Sequence, residues 1–204
     1  MQTHPKHPIH PTRSIHMQIF STDFETGMKK IEKKLFEREK SLDTILAESR
    51  KIIRACSNTI KALHAHDFKE AETNLQEAEK GLADLGVTRK EFPDHLHHIL
   101  QEYVEARVVF SAVKNNKIPA FDDLEVPEVS YLTGLLDAIG ELKREMYEAL
   151  RKSDKKSAEK YFAMMEAIYD ALLPLRFSNS VLPEFRKKQD VGRIQIEQAR
   201  GQLI

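Results

Sequence analysis

From Ser21 to His66 the chain runs without a single proline. Through that stretch Ile31, Leu35, Leu42, Ile45, Leu46, Ile52, Ile53, Ile60 and Leu63 recur at helical spacing. Ser21-Thr22-Asp23 offers an N-cap with acids in the first turn. The expectation is one helix of about 40 residues, or ~60 Å at 1.5 Å per residue. Such a rod is longer than one small bundle needs. Part of it is therefore expected to pack on a neighbouring subunit.

The rest of the chain also reads as helix, so the expected fold class is all-α. Asp67 can cap a second helix, 67–85, closed by Gly86. Later helices are expected at 94–113, 128–152, 154–175 and 183–202, with a loop at Lys114–Pro127. Only seven glycines are present and tryptophan is absent, which favours long helices over tight turns. No convincing strand and no fixed-period repeat is found. Residues 21–204 suffice for one domain with a sizeable core. Residues 1–20 differ: the His4-Pro5, His7-Pro8, His10-Pro11 rhythm blocks helix and sheet, so a disordered tail is expected there.

Lys+Arg and Asp+Glu both number 32, so a basic surface, if present, must be segregated from an acidic one. Cys56 is the single cysteine, which excludes an internal disulfide and fits a reducing compartment, taken as cytoplasmic. No run approaches the ~18 apolar residues of a membrane span. The N-terminus carries no apolar signal segment.

Two helices carry paired acids. Glu102 and Glu105 stand at i, i+3 in Leu100-Gln101-Glu102-Tyr103-Val104-Glu105-Ala106, and Asp137 and Glu141 at i, i+4. Each pair shares one helix face. Their neighbours are mostly apolar, so both segments are expected to be partly buried. If the helices are antiparallel neighbours, four carboxylates converge. Clustered carboxylates repel and burial raises their pKa values. A divalent cation removes that penalty, and oxygen-only ligands suit Mg²⁺ or Mn²⁺ rather than Zn²⁺. The same spacings also serve solvated or salt-bridged faces, and spacing alone does not separate the readings.

The first acidic segment resembles the acidic motif of Trax in the translin/Trax family. Tyr131-Leu132, Gly134-Leu135, Asp137, Gly140-Glu141-Leu142 and Arg144 are similar to that family's second motif. Ser49-Arg50 through Leu63-His64 is similar to its long first helix, and Phe162 to Leu203 keeps its helix order. The resemblance runs from about residue 24 to the end. It implies a translin-like bundle of six to seven helices with a long first helix, assembled as a hollow, octameric barrel around nucleic acid. It also implies that Glu102, Glu105 and Asp137, with Glu141 beside them, hold Mg²⁺ or Mn²⁺ and cut RNA. That set makes the chain Trax-like rather than translin-like. The short Lys114–Pro127 joint and the lack of a long basic N-terminal segment fit a compact, archaeal type of member. Such a member self-assembles or takes a translin-like partner.

The expected activity is thus a metal-dependent endoribonuclease acting on single-stranded RNA. The alternative is a non-catalytic protein that binds single-stranded RNA or DNA. No Ser-His-Asp set, Cys-His pair, P-loop or dinucleotide motif competes. Basic groups that can hold phosphates are Arg38, Arg50, Lys51, Arg54, Arg89 and Arg144. Arg186-Lys187-Lys188 and Arg193 add charge to the last helix. His98, four residues before Glu102, can face the acids and touch phosphate or metal. Each of these also reads as an ordinary solvated or salt-bridged side chain.

Overall fold

A computed structural model describes residues 22–86 and 92–203. The expected tail, the Ser21 cap and Arg89 lie outside the described residues. Among the described residues six α-helices follow in order: α1 Thr22–His64, α2 Phe68–Asp84, α3 Pro93–Asn115, α4 Glu128–Arg151, α5 Lys155–Leu172 and α6 Phe185–Leu203. A 3-10 turn, Phe121–Asp123, interrupts the joint before α4. Among the described residues there is no strand, and no helix is long and apolar enough to cross a membrane.

Local chemistry accounts for the boundaries. Asp67 accepts a hydrogen bond from the Glu70 amide at 2.9 Å and starts α2. Asp154 does the same for the Ser157 amide at 3.0 Å and starts α5. Pro93 opens α3, where a missing N–H costs nothing. Asn116 closes α3 in the left-handed region at φ 56°, which lets α3 run two residues past the expected Val113. Pro183 precedes α6 rather than starting it. Asn179 Oδ1 accepts from the Glu184 amide at 2.9 Å just before Phe185.

The chain divides into two units, Met1–Thr44 and Ile45–Ile204, with α1 running through both. In the first, Phe24, Met28, Ile31, Leu35 and Phe36 are 46–67% exposed. They line an apolar hollow of about 830 Å³. In the second, Ile45, Ile52, Cys56 and Leu63 of α1 are enclosed. Each such aliphatic side chain contributes roughly 1.5–3 kcal/mol through burial.

Helix α4 is the axis of the second unit: α3, α5 and α6 all pack on it, α5 on α6, and α2 on α3. Ile139, Leu142 and Met146 of α4 are fully buried, as are Val104 and Val108 of α3. The α3–α4 approach depends on Gly134. A Cβ there would lie 2.7 Å from Val104 Cβ and 2.8 Å from the Gln101 carbonyl oxygen. Lacking one, the two helices come together near their acidic segments.

Candidate acidic site on helices α3, α4 and α6

The close α3–α4 approach brings Glu102 and Glu105 to the same cavity as Asp137 and Glu141. It has a volume of about 520 Å³, and α6 closes it with Lys187, Lys188 and Gln195. Glu105 shows that the acids feel one another. Burial, then repulsion from Asp137, Glu102 and Glu141, pushes its carboxyl up to about 8, and Lys188 only partly opposes this. Behind them, Cys56 of α1 is fully buried. Its thiol is pushed up to about 12 by burial and by the charges of Glu102 and Glu105.

Asp137 is held by two donors. Lys188 Nζ stands 2.5 Å from Oδ1 and 2.8 Å from Oδ2, and Gln101 Nε2 donates to Oδ2 at 2.6 Å. Glu141 is held from the other side. His64, in the last turn of α1, is 2.5 Å from Glu141 Oε2 through Nε2 and 2.5 Å from Glu145 Oε1 through Nδ1. Burial alone would lower the His64 pKa, but its hydrogen bonds to the two carboxylates raise it to about 9. At neutral pH it is therefore an imidazolium donating from both nitrogens. Glu141 is in turn held below the usual carboxylate range, first by the His64 hydrogen bond.

The donor chemistry suits a hard cation in two respects. The wall carries the carboxylates of Glu102, Glu105, Asp137 and Glu141, oxygen donors of the kind that Mg²⁺ and Mn²⁺ prefer. In addition, Gln195 Oε1 is buried with no hydrogen-bond donor. Gly140 makes room for that amide, since a Cβ there would lie 3.1 Å from Gln195 Nε2. Among the described residues, however, no three His, Cys, Asp or Glu side chains are closed up as a ligand set. The reason is visible in the pairings. Asp137 is drawn to Lys188 and Gln101, and Glu141 to His64, so a cation must compete with Lys188 for Asp137.

The basic residues singled out from sequence divide. His98 lines the cavity at its rim, its side chain 66% exposed and Nδ1 3.8 Å from Glu102 Oε1. Arg50, Lys51, Arg54 and Arg144 are exposed and do not line it. Lys51 is paired with Glu48 at 2.7 Å, and the charge of Arg144 reaches Glu141. Arg38 belongs to the first unit. Lys188 stood in the sequence only as one of a basic run, and His64, Gln101 and Gln195 carried no assignment. For Lys188 the one available signal was its helical register on α6. For His64, 77 residues from Glu141, there was none.

This is an all-α bundle whose central helices turn paired acids into one cavity. Residues 28–199 match the Translin family, and the chain belongs to that family. An uncharacterized protein of Methanocaldococcus jannaschii, MJ0175, is 34% identical over 175 residues, covering 83% of this chain and 78% of that protein. The crystal structure of AfC3PO superposes with a TM-score of 0.80 at 31% identity, over 86% of this chain and 94% of that one. The structure of AfC3PO in complex with duplex RNA matches equally, at TM-score 0.80 and 30% identity over the same shares. Apo-NeC3PO shares the fold at TM-score 0.79 and 24% identity, over 86% and 95%.

Proposed function

We propose that this protein is a metal-dependent endoribonuclease acting on single-stranded RNA, working as a homo-oligomer with the acidic cavity on its RNA-facing side. One observation carries the reading: Glu105 stands half-buried in the cavity wall among Glu102, Asp137 and Glu141, with too little positive charge nearby to settle it. Structural acids are ordinarily paired off, and a carboxylate left in that condition is a candidate functional group. Glu102, Glu105 and Asp137 would hold Mg²⁺ or Mn²⁺, with Glu141 assisting. When bound, such an ion supplies an activated water and charge for the phosphoryl oxygen.

The chain's own residues supply positioning. Lys187 and Lys188 place ammonium groups on the α6 wall, where they hold phosphates without reading bases. His98 adds a donor at the rim. RNA as ligand is supported by the duplex-RNA complex of the related AfC3PO, which also makes duplex RNA a substrate class to compare with single strands. The exposed apolar side chains between Phe24 and Phe36 support assembly with further copies, an octameric barrel being the expected form.

The competing reading is a binder without chemistry. It is favoured by the Lys188–Asp137 ion pair and the unclosed ligand set. Incubating labelled single-stranded and duplex RNA with the protein in Mg²⁺, Mn²⁺ or EDTA separates the two. Cleavage that needs metal and disappears in the Glu105→Ala/Asp137→Ala double variant is expected. Retarded but intact RNA under every metal condition would establish the binder. The mass of the native particle tests the assembly.

A further inference from the structure

Helix α4 carries a second carboxylate one turn beyond Glu141. Glu145 is only 2% exposed. Buried deeper than any acid of the cavity, it does not line it. A carboxylate so placed needs a partner, because removing an ion from water costs several kcal/mol. Its partner is His64, itself only 10% exposed at the side chain. The imidazole lies between the two acids, with one nitrogen 2.5 Å from Glu145 Oε1 and the other 2.5 Å from Glu141 Oε2.

The arrangement is directional. Glu145 lies behind, enclosed by the bundle, and orients the ring. The ring then takes one oxygen of Glu141, whose carboxylate, 27% exposed, stands at the cavity wall. With Oε2 engaged, Oε1 is left for the cavity. Helix α1 is joined to the acidic site by this chain of groups, and α4 provides both ends of it at i, i+4 spacing. A carboxylate meant only to stabilise the bundle has no need to share its histidine with a wall residue of an acidic cavity.

We propose that His64, anchored by Glu145, is a positioning residue that fixes the Glu141 carboxylate for cation binding in the acidic cavity. This rests on the reading of the cavity as a divalent-cation site. Outer partners of this kind govern affinity because an unheld carboxylate must be ordered when the cation binds. Their loss typically costs 10- to 100-fold.

A single His64 substitution strands two acids and can unfold the chain, so the test uses His64→Phe/Glu145→Leu. That pair removes both buried charges and keeps volume, a change that buried ion pairs commonly tolerate. Mn²⁺ binding to the full chain is measured by titration calorimetry without RNA, alongside thermal melting. The expected result is melting close to the unaltered protein with Mn²⁺ binding weakened about 10-fold or more. Adding Glu141→Gln to the pair is expected to weaken binding little further, because Glu141 is already released. Mn²⁺ affinity unchanged in the double variant, with the unaltered chain binding Mn²⁺, overturns the positioning role alone. A weakened double variant that Glu141→Gln weakens as much again also overturns it. No Mn²⁺ binding by the unaltered chain overturns the cation site and this role together.

Discussion

Two places on α4, one turn apart, handle negative charge in opposite ways. At Glu145 and Glu141 the fold supplies His64 between the carboxylates, and all three groups are hydrogen-bonded. At Asp137, Lys188 answers one acid, while Glu105 beside it stays repelled, its carboxyl pushed up to about 8. The first place is closed by the chain itself. The second has the composition of a site completed by something positive from outside. Burial is thus no guide to function by itself: the deeper acid, Glu145, is the satisfied one.

The largest effect should come from opening the closed place. His64→Ala leaves Glu145 and Glu141 facing each other in low dielectric, an expected loss of about 3–5 kcal/mol by urea denaturation. A loss under about 1 kcal/mol would mean the ion pairing there is incidental. Next is the open place. Glu105→Gln should reduce metal-dependent RNA cleavage by ~100-fold or more, since even outer partners of metal ligands cost 10- to 100-fold. The same variant should be no less stable than the unaltered chain without metal, because folding no longer has to hold a proton on a carboxyl pushed up to about 8. Opposite signs for stability at His64 and Glu105 are the sharpest form of the comparison.

Gly134→Ala tests whether helix approach creates the site. Its Cβ would meet backbone as well as Val104, so α3 and α4 must part. An expected cost of about 1–3 kcal/mol follows from overpacking, together with weaker Mn²⁺ binding. Retention of full Mn²⁺ affinity would show that the acids do not depend on this contact.

The smallest effect is the response to pH. His64 has a folded-state pKa near 9 against a reference of 6.5. Its contribution is therefore complete below pH 6.5 and fades as pH rises through 9. Glu105, near 8 against 4.5, keeps a proton that the unfolded chain has lost, so its ionisation also removes stability as pH rises from 4.5 to 8. Both slopes run downward, and metal-free stability should fall between about pH 6.5 and 9. Glu105→Gln should flatten the part below 8. Mn²⁺ binding near pH 7 should release a proton, readable as buffer-dependent heat in calorimetry.

Much of this was legible in the sequence, because helices are written locally. The proline-free run, the Asp67 cap and the i, i+3 and i, i+4 acid pairs each depend on residues within a turn or two. The two acid pairs could be joined because they sit on consecutive helices with a short connection. His64 could not be found this way: it lies at the end of α1, and only packing brings it to Glu141 and Glu145. Lys188 was hidden differently. Its charge was plain, but among Arg186, Lys187 and Lys188 the residue turned toward Asp137 is fixed by the rotation of α6 against α4. The apolar stripe of α1 read as one pattern, yet Ile31 and Leu35 are exposed while Ile45 and Ile52 are enclosed. Periodicity shows which face is apolar and not what covers it.

The central claim is best tested by locating Mn²⁺ directly, through its anomalous scattering in crystals of the protein grown at neutral to mildly alkaline pH. A peak coordinated by oxygens of Glu102, Glu105 and Asp137, with Lys188 moved off Asp137, is the predicted result. Saturating Mn²⁺ that leaves the Lys188–Asp137 pair intact and puts no peak in that cavity would contradict it.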